Sequence, residues 1–447
     1  MTSASSIGAQ RGLDGEAKPG SLEVYTVAAS KPMNLLSQRF LTTTCLLLIA
    51  VLLPIGAGAQ TYDLLLKGGH VVDPGNKIDA SMDVAVTGTR IARVARDIPA
   101  DQAKKTVDVS GLLVVPGLID LHGHTFGPDA SLFPDDTALV TGTTTLVDCG
   151  GPGWKNFEEY KAKIVDKAKT RVLTFLNIVG GGMRDENDVD DMDPEKTAAK
   201  ILEYPNLIVG IKNAHFGGMG WVSVQRAVEA GRLSNTPVIL DNHILTKFDR
   251  DTRTKLLDIL RPGDMHTHFY NDRQVEVLDR FTKKVQPYMH EARRRGVLFD
   301  MGHGNGSFMW PVATEAMKQG FPPDTISTDL HAQSIFSTQS DMPNCITKLM
   351  NLGMELQDAI MRSTVNPAKA IKRFPELGTL GDGKGADITV LQYEEGIFAL
   401  KDAWRKKLMG TKRVRCVLTV RDGEIVFDED GLGFPLWTDA GEDEMIQ

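Results

Sequence analysis

Ten histidines are spread over the 447 residues, and most fall at or just beyond the end of a short apolar run. The densest case is Pro116-Gly117-Leu118-Ile119-Asp120-Leu121-His122-Gly123-His124. Its apolar stretch, 112–121, reads as a buried strand, and residues i and i+2 of a strand face the same side. His122 and His124 therefore converge on one point beyond the strand's C-terminal end, where α/β proteins hold their reactive groups. Two imidazoles at that spacing are half of a metal site. A bare His-x-His is weak evidence; this pair gains weight from closing a hydrophobic strand introduced by Pro-Gly.

Other reactive side chains close other apolar runs. Lys212 ends the run 207–211, and a lysine there is costly unless paired or modified. Carboxylated by CO₂, its tip would be a two-oxygen anion able to bridge two metal ions; unmodified, it would snorkel or form a salt bridge. Asp241 ends 237–240, with His243 two residues on, and His215 lies just past Lys212. His268 closes Asp264-Met265-His266-Thr267-His268, where His266 shares its face, so one of the two is buried and structural. Asp329 ends 325–328; a carboxylate there can hold a metal through one oxygen and take a proton from water with the other. His303, a candidate catalytic residue, lies in Gly302-His303-Gly304-Asn305-Gly306-Ser307-Phe308. No Lys-Ser/Thr follows, so this loop reads as a substrate-facing wall and not a phosphate cradle. Asn177 and His331, at the ends of their own runs, join His215 as candidate substrate-binding residues.

The runs that position these groups alternate with amphipathic stretches such as 157–169, 194–203 and 221–230. Eight short buried strands at spacings of roughly 30 residues predict an α/β chain folded as a (β/α)8 TIM barrel. A doubly wound sheet is the alternative. On either side lie turn-rich, strand-forming blocks, 62–96 and 378–426, which predict a small β-sandwich domain formed from both ends of the mature chain. The expected organisation is a leader (1–59), a first β-sandwich part (60–115), the barrel (116–372), a second β-sandwich part (373–430) and a C-terminal tail (431–447).

Within the leader, Arg39, the greasy run from Cys45 to Ile55 and Ala57-Gly58-Ala59 make a signal peptide (33–59), with Met33 as an alternative start. Its apolar run is short for a membrane span. The expectation is therefore export, to the periplasm or outside, with no stable membrane span after cleavage; a retained anchor is the alternative. Cys149, Cys345 and Cys416 then remain, too few and too scattered for a disulfide framework. A net charge of −8 without a basic stripe excludes nucleic acid as a partner. Partners reduce to a small-molecule substrate; the oligomeric state, a homo-oligomer included, is left open.

Taken together, the 116–124 motif, Gly142-Thr143-Thr144-Thr145-Leu146-Val147-Asp148, Lys212, His268, Asp329 and Gly385-Ala386-Asp387-Ile388 resemble the amidohydrolase superfamily of metal-dependent hydrolases. Segments 209–212, 302–308 and 327–331 are similar to its dihydroorotase-like branch, which includes deacetylases. That resemblance implies one metal held by His122, His124 and Asp329, a second by His268 and a fifth-strand histidine, and carboxylated Lys212 bridging them. It implies zinc, as one or two ions, a water activated by metal, and Asp329 as proton shuttle. Where the fifth-strand histidine is expected this chain has Asp241, a harder and more negative ligand; His243 or His215 could substitute. The expected activity is zinc-dependent hydrolysis of an amide or ester of a small acyl compound, deacetylase- or aminoacylase-like. A dihydroorotase-like cyclic amidase and a lapsed barrel serving as a binding module are the alternatives.

Overall fold

The computed structural model describes residues 60–127, 131–218, 220–241, 250–271 and 277–439. The leader with its signal peptide, and His243, lie outside the described residues. The described residues all fall in one compact unit.

Seven parallel strands lie side by side in chain order: Leu118–Gly123, Thr143–Gly153, Arg171–Asn177, Ile208–Asn213, Val238–Leu240, Met265–His266 and Leu298–Phe299. The eighth expected run, 325–329, is not a regular strand but lies between the seventh strand and the first. It makes parallel bridges from Asp300 to Thr325 and from Gly123 to Leu330. Backbone bonds reinforce both sides, Met301 N to Thr325 O at 3.0 Å and His124 N to Leu330 O at 2.9 Å. Asp120 stitches this seam from inside, accepting Thr328 N at 3.0 Å, Thr328 Oγ1 at 2.5 Å and His122 N at 3.1 Å. Burial pushes its carboxyl up to about 7 against those hydrogen bonds. A parallel sheet covered on both faces needs apolar residues on both. Ile119, Leu121, Val147, Leu173, Phe175 and Val209 fill the interior, while Leu118, Val172, Leu176 and Ile211 pack in the outer core.

Helices cover the outside. Pro194–Glu203 is formed as the sequence predicts, with Pro194 in the first turn and Asp193 accepting Lys196 N at 3.0 Å. Val222–Ser234 ends where Asn235 turns left-handed at φ 53°. The helix expected over 157–169 is shorter: Phe157–Tyr160 runs into a wide turn, Lys161–Val165, with Lys161 Nζ bonding Asp166 at 2.7 Å.

The two terminal β blocks expected to form one β-sandwich combine in a single sheet. Eight strands share one hydrogen-bonded sheet: Tyr62–Asp73, Ile78–Thr87, Arg90–Ala95, Ala103–Asp108, Leu113–Pro116, Ile388–Lys401, Lys407–Arg421 and Glu424–Asp428. Leu113–Pro116 is the reason. It pairs parallel with the first strand and antiparallel with Ile388–Lys401, joining chain ends far apart in sequence. One residue later the chain enters the barrel, and only glycine fits that step: a Cβ on Gly117 would lie 2.1 Å from Thr144 Oγ1. Asp387 of the Gly-Ala-Asp-Ile motif locks the junction, its carbonyl accepting Gly117 N at 2.8 Å and its carboxylate pairing with Arg171 and Arg421. Among the described residues no helix is long and apolar enough to cross a membrane.

Candidate metal centre

The C-terminal ends of the barrel strands gather His122, His124, Lys212, Asp241, His268 and Asp329. Ligand atoms of His122, His268 and Asp329 lie within 4.8 Å of one another, the one such compact group among the described residues. His122 Nε2 stands 3.1 Å from Lys212 Nζ and 3.6 Å from Asp329 Oδ1, and His124 Nε2 is hydrogen-bonded to the same oxygen at 2.8 Å. Lys212, only 1% exposed, lies 3.6 Å from Asp241 Oδ2. Asp241 Oδ2 also stands 3.3 Å from His268 Nε2 and 3.6 Å from His215 Nε2.

The rings of His268, His122 and His215 are each oriented by a hydrogen-bonding neighbour, whereas His124 Nδ1 is buried without one. His268 Nδ1 faces the carbonyl of Gly302 at 2.6 Å; a carbonyl only accepts, so Nδ1 carries the proton and Nε2 is turned to the centre. His122 Nδ1 donates to Thr267 Oγ1 at 3.1 Å, and that hydroxyl donates to Asp300 Oδ2 at 2.7 Å. Ser327 and Thr325 hydroxyls donate to Asp300 as well, each at 2.6 Å. Burial, with the Lys212 charge next, pushes His122 down to about 3, so its imidazole is neutral. His215 is held through Nδ1 by Glu186, whose other oxygen accepts Asn177 Nδ2 at 2.8 Å. Burial alone would lower His215; Glu186 and Asp241 together push it up to about 9.

The carboxylates are held ionised against their burial. His268 and Lys212 keep Asp241 far below the ordinary carboxylate range, and His124, His122 and His268 do the same for Asp329. Burial works against the Lys212 ammonium, but Cys149, Asp241 and Asp329 hold it above the usual lysine range. Three of the site's side chains sit on left-handed backbone: His215 at φ 51°, His268 at 62° and Asp329 at 48°. Such strain in non-glycine residues gathers where function over-determines the backbone.

The glycine-rich loop has a different role from the expected wall. A Cβ on Gly302 would meet His268 Nδ1 at 2.6 Å, and one on Gly304 would meet Asp329 Oδ2 at 2.0 Å. Glycine lets the backbone lie directly on two site residues. His303 itself turns away: Nδ1 faces Gly304 O at 2.9 Å, Nε2 accepts from Lys348 Nζ at 2.8 Å, and the ring stacks on Phe308. Both ring nitrogens are engaged in a buried cluster, and burial with the Lys348 charge holds His303 well below the ordinary histidine range. His266 is the structural member of its pair, buried against Phe299 with Nδ1 on Thr267 O at 2.6 Å. His331 stands beside His124, ring centroids 6.1 Å apart. Asn177 enters through Glu186. Sequence reasoning missed Glu186, Thr267 and Asp300.

The residues fit a cation. Nitrogen and oxygen donors converge, and Asp241 Oδ1 is buried with no hydrogen-bond partner, an orphan that a cation would satisfy.

Comparison with known proteins decides the family. A deacetylase of Brucella anthropi is 30% identical over 354 residues, spanning 75% of this chain and 85% of its own. The chain belongs to the amidohydrolase family. The Amidohydrolase family model matches residues 309–426. Among solved structures, an adenine deaminase aligns at TM-score 0.74 with 27% identity, covering 81% of this chain and 99% of that one. A dihydroorotase aligns at 0.71 with 25% identity, covering 82% and 99%. As an amidohydrolase the chain is an enzyme, a hydrolase of carbon–nitrogen bonds, and these neighbours share its barrel.

Proposed function

We propose that this amidohydrolase is a zinc-dependent deacetylase- or aminoacylase-like enzyme that cleaves an amide or ester of a small acyl compound. The convergence of His122, His268 and Asp329 at the strand ends carries the reading. His122, His124 and Asp329 would hold one ion, and Asp241 and His268 a second, with Lys212 as a carbamate between them. Bound zinc would supply a Lewis acid and bring the pKa of a water to about 7.

What the chain's own groups do follows from their geometry. Asp329, ionised and fixed through Oδ1 by His124, would take a proton from the attacking water and pass it to the leaving nitrogen or oxygen. The Thr267–Asp300 relay keeps His122 in the tautomer whose Nε2 faces the centre. Lys212 must lose its proton before it can add CO₂, and the surrounding carboxylates oppose that loss. Two dications would reverse this field, so carbamate formation and metal loading should occur together.

We also read residues 60–115 and 373–430 as one β-rich part around a barrel of 116–372, and 33–59 as a signal peptide for export. N-terminal sequencing of protein from its native cell should give a start close to Gln60; an intact Met1 or Met33 would contradict it. A screen of N-acyl and O-acyl acids against cyclic ureides tests the activity. Turnover of the acyl compounds supports it, while turnover of ureides alone would replace it with a cyclic amidase.

A further inference from the structure

At Asp241 the fifth strand supplies a carboxylate, and the sixth supplies His268, whose Nε2 stands 3.3 Å from Asp241 Oδ2. A second imidazole faces the same oxygen from the end of the fourth strand. His215, three residues beyond Lys212, has its Nε2 3.6 Å from Asp241 Oδ2. Donors about 2.0–2.1 Å from a tetrahedral zinc stand roughly 3.3–3.4 Å from one another. Both separations at Asp241 are therefore close to that between neighbouring ligands of one ion. The other oxygen, Oδ1, is buried with no hydrogen-bond partner, so this carboxylate has acceptor capacity that a cation can satisfy.

The His215 ring is aimed from behind. Strand Ile208–Asn213 ends with Asn213 bonded to Ser223 and with Ala214 buried. At His215 the backbone turns left-handed, φ 51°, and a non-glycine residue holds that conformation where its contacts over-determine it. The contact here is the buried Glu186, which accepts from His215 Nδ1 and, through its other oxygen, from Asn177 Nδ2 at 2.8 Å. Asn177 also donates to Gly150 O at 3.0 Å and accepts Val179 N at 3.0 Å, which roots the relay at the end of the third strand. A carboxylate only accepts, so Nδ1 carries a proton, and Nε2, turned to Asp241, has the lone pair of the neutral ring. A carboxylate behind the distal nitrogen is the usual support of a metal-binding histidine; Thr267 and Asp300 do the same for His122. His215 lies outside the compact group of His122, His268 and Asp329. With its side chain 39% exposed, the ring has room to move in.

We propose that His215 is a metal ligand, sharing with Asp241 and His268 the ion at this pole, and that Glu186 is its positioning residue. The imidazole that the fifth strand lacks at Asp241 is then supplied from the end of the fourth. The proposal deepens the metal-dependent hydrolase reading and rests on it.

The test counts ions as well as turnover. Metal-free wild type, His215→Ala, His215→Gln, Glu186→Gln and His243→Ala are titrated with zinc in a calorimeter, and bound zinc is measured by elemental analysis after dialysis. Circular dichroism of the metal-free proteins checks the fold, and His215→Gln keeps a group able to bond Glu186. Glu186→Gln should weaken the ion at the Asp241 pole about 10- to 100-fold. Removal of the ring, in His215→Ala and His215→Gln, should weaken it by about 100-fold or more, with the ion at the His122 pole retained. Zinc content and affinity equal to wild type in both His215 variants would overturn the proposal and leave the hydrolase reading intact. So would loss of that ion in His243→Ala alone. Zinc bound through His215 in a protein that hydrolyses neither acyl compounds nor ureides would instead retain the ligand and remove the hydrolase reading.

Discussion

The centre has two poles, and they are built differently. At the barrel seam, His122, His124 and Asp329 come from the first strand and the closing segment; Asp120 ties the two backbones and Thr267 with Asp300 fixes the His122 ring, while His124 Nδ1 is buried without a partner. Across from it, at the ends of the fourth to sixth strands, Asp241 stands where the family resemblance implies a histidine. It keeps one buried oxygen without a partner and has His268, His215 and Lys212 around the other. Each pole keeps one buried atom without a partner, a ring nitrogen at the seam and a carboxylate oxygen opposite, but at the strand ends only the seam, among the described residues, has its backbones tied to each other by a side chain. Two anions, Asp241 and Asp329, flank the buried Lys212, and Asp241 with Glu186 also holds His215 up at about 9.

The largest effects should come from breaking the seam. His122→Ala or His124→Ala should remove most bound zinc and lower kcat by about 10³-fold or more, while circular dichroism stays native because both side chains sit at a strand end. Full activity with full metal in either variant would refute the assignment. Lys212 then tests whether the poles are joined. Lys212→Ala should lose activity, with partial rescue by a short carboxylic acid, and Lys212→Arg should not substitute, since a guanidinium stays cationic. An unmodified Lys212 in a fully metallated, active enzyme would remove the bridge.

Smaller effects probe the supports. Asp300→Asn should weaken zinc binding about 10- to 100-fold in competition with a chelator, without changing any direct ligand; unaltered affinity would mean that the relay through Thr267 does not orient His122. The smallest concerns His266, which burial pushes down to about 4. Between its ordinary value of 6.5 and 4 the unfolded chain binds the proton and the folded one does not, so stability falls as pH falls through that window. In metal-free protein, His266→Gln should flatten the acid side of the melting-temperature profile. Asp120, raised to about 7, acts in the opposite direction and is common to both proteins.

The sequence carried the barrel because each buried strand ends on a polar residue, and strand periodicity places that residue at the mouth. His122, His124, Lys212, Asp241, His268 and Asp329 were legible for this reason. Glu186 was not, being one acid among several in the charged loop 184–191, where only the fold reveals which one turns inward. Thr267 was overshadowed by the histidines on either side, yet its hydroxyl is the link between His122 and Asp300. The glycines at 302 and 304 suggested a wall, since sequence cannot show that a backbone lies against His268 and Asp329. His303 looked catalytic from its neighbours, but Lys348, distant in sequence, occupies its outward nitrogen. Register along one strand can be read locally; contacts between strand ends arise only when the ring closes.

The most direct test is the zinc content of the purified enzyme, measured together with its hydrolysis of an N-acyl acid before and after chelation. One or two zinc ions per chain are expected, with activity lost on their removal and restored on their return. Undiminished hydrolysis by the metal-free protein would contradict the account.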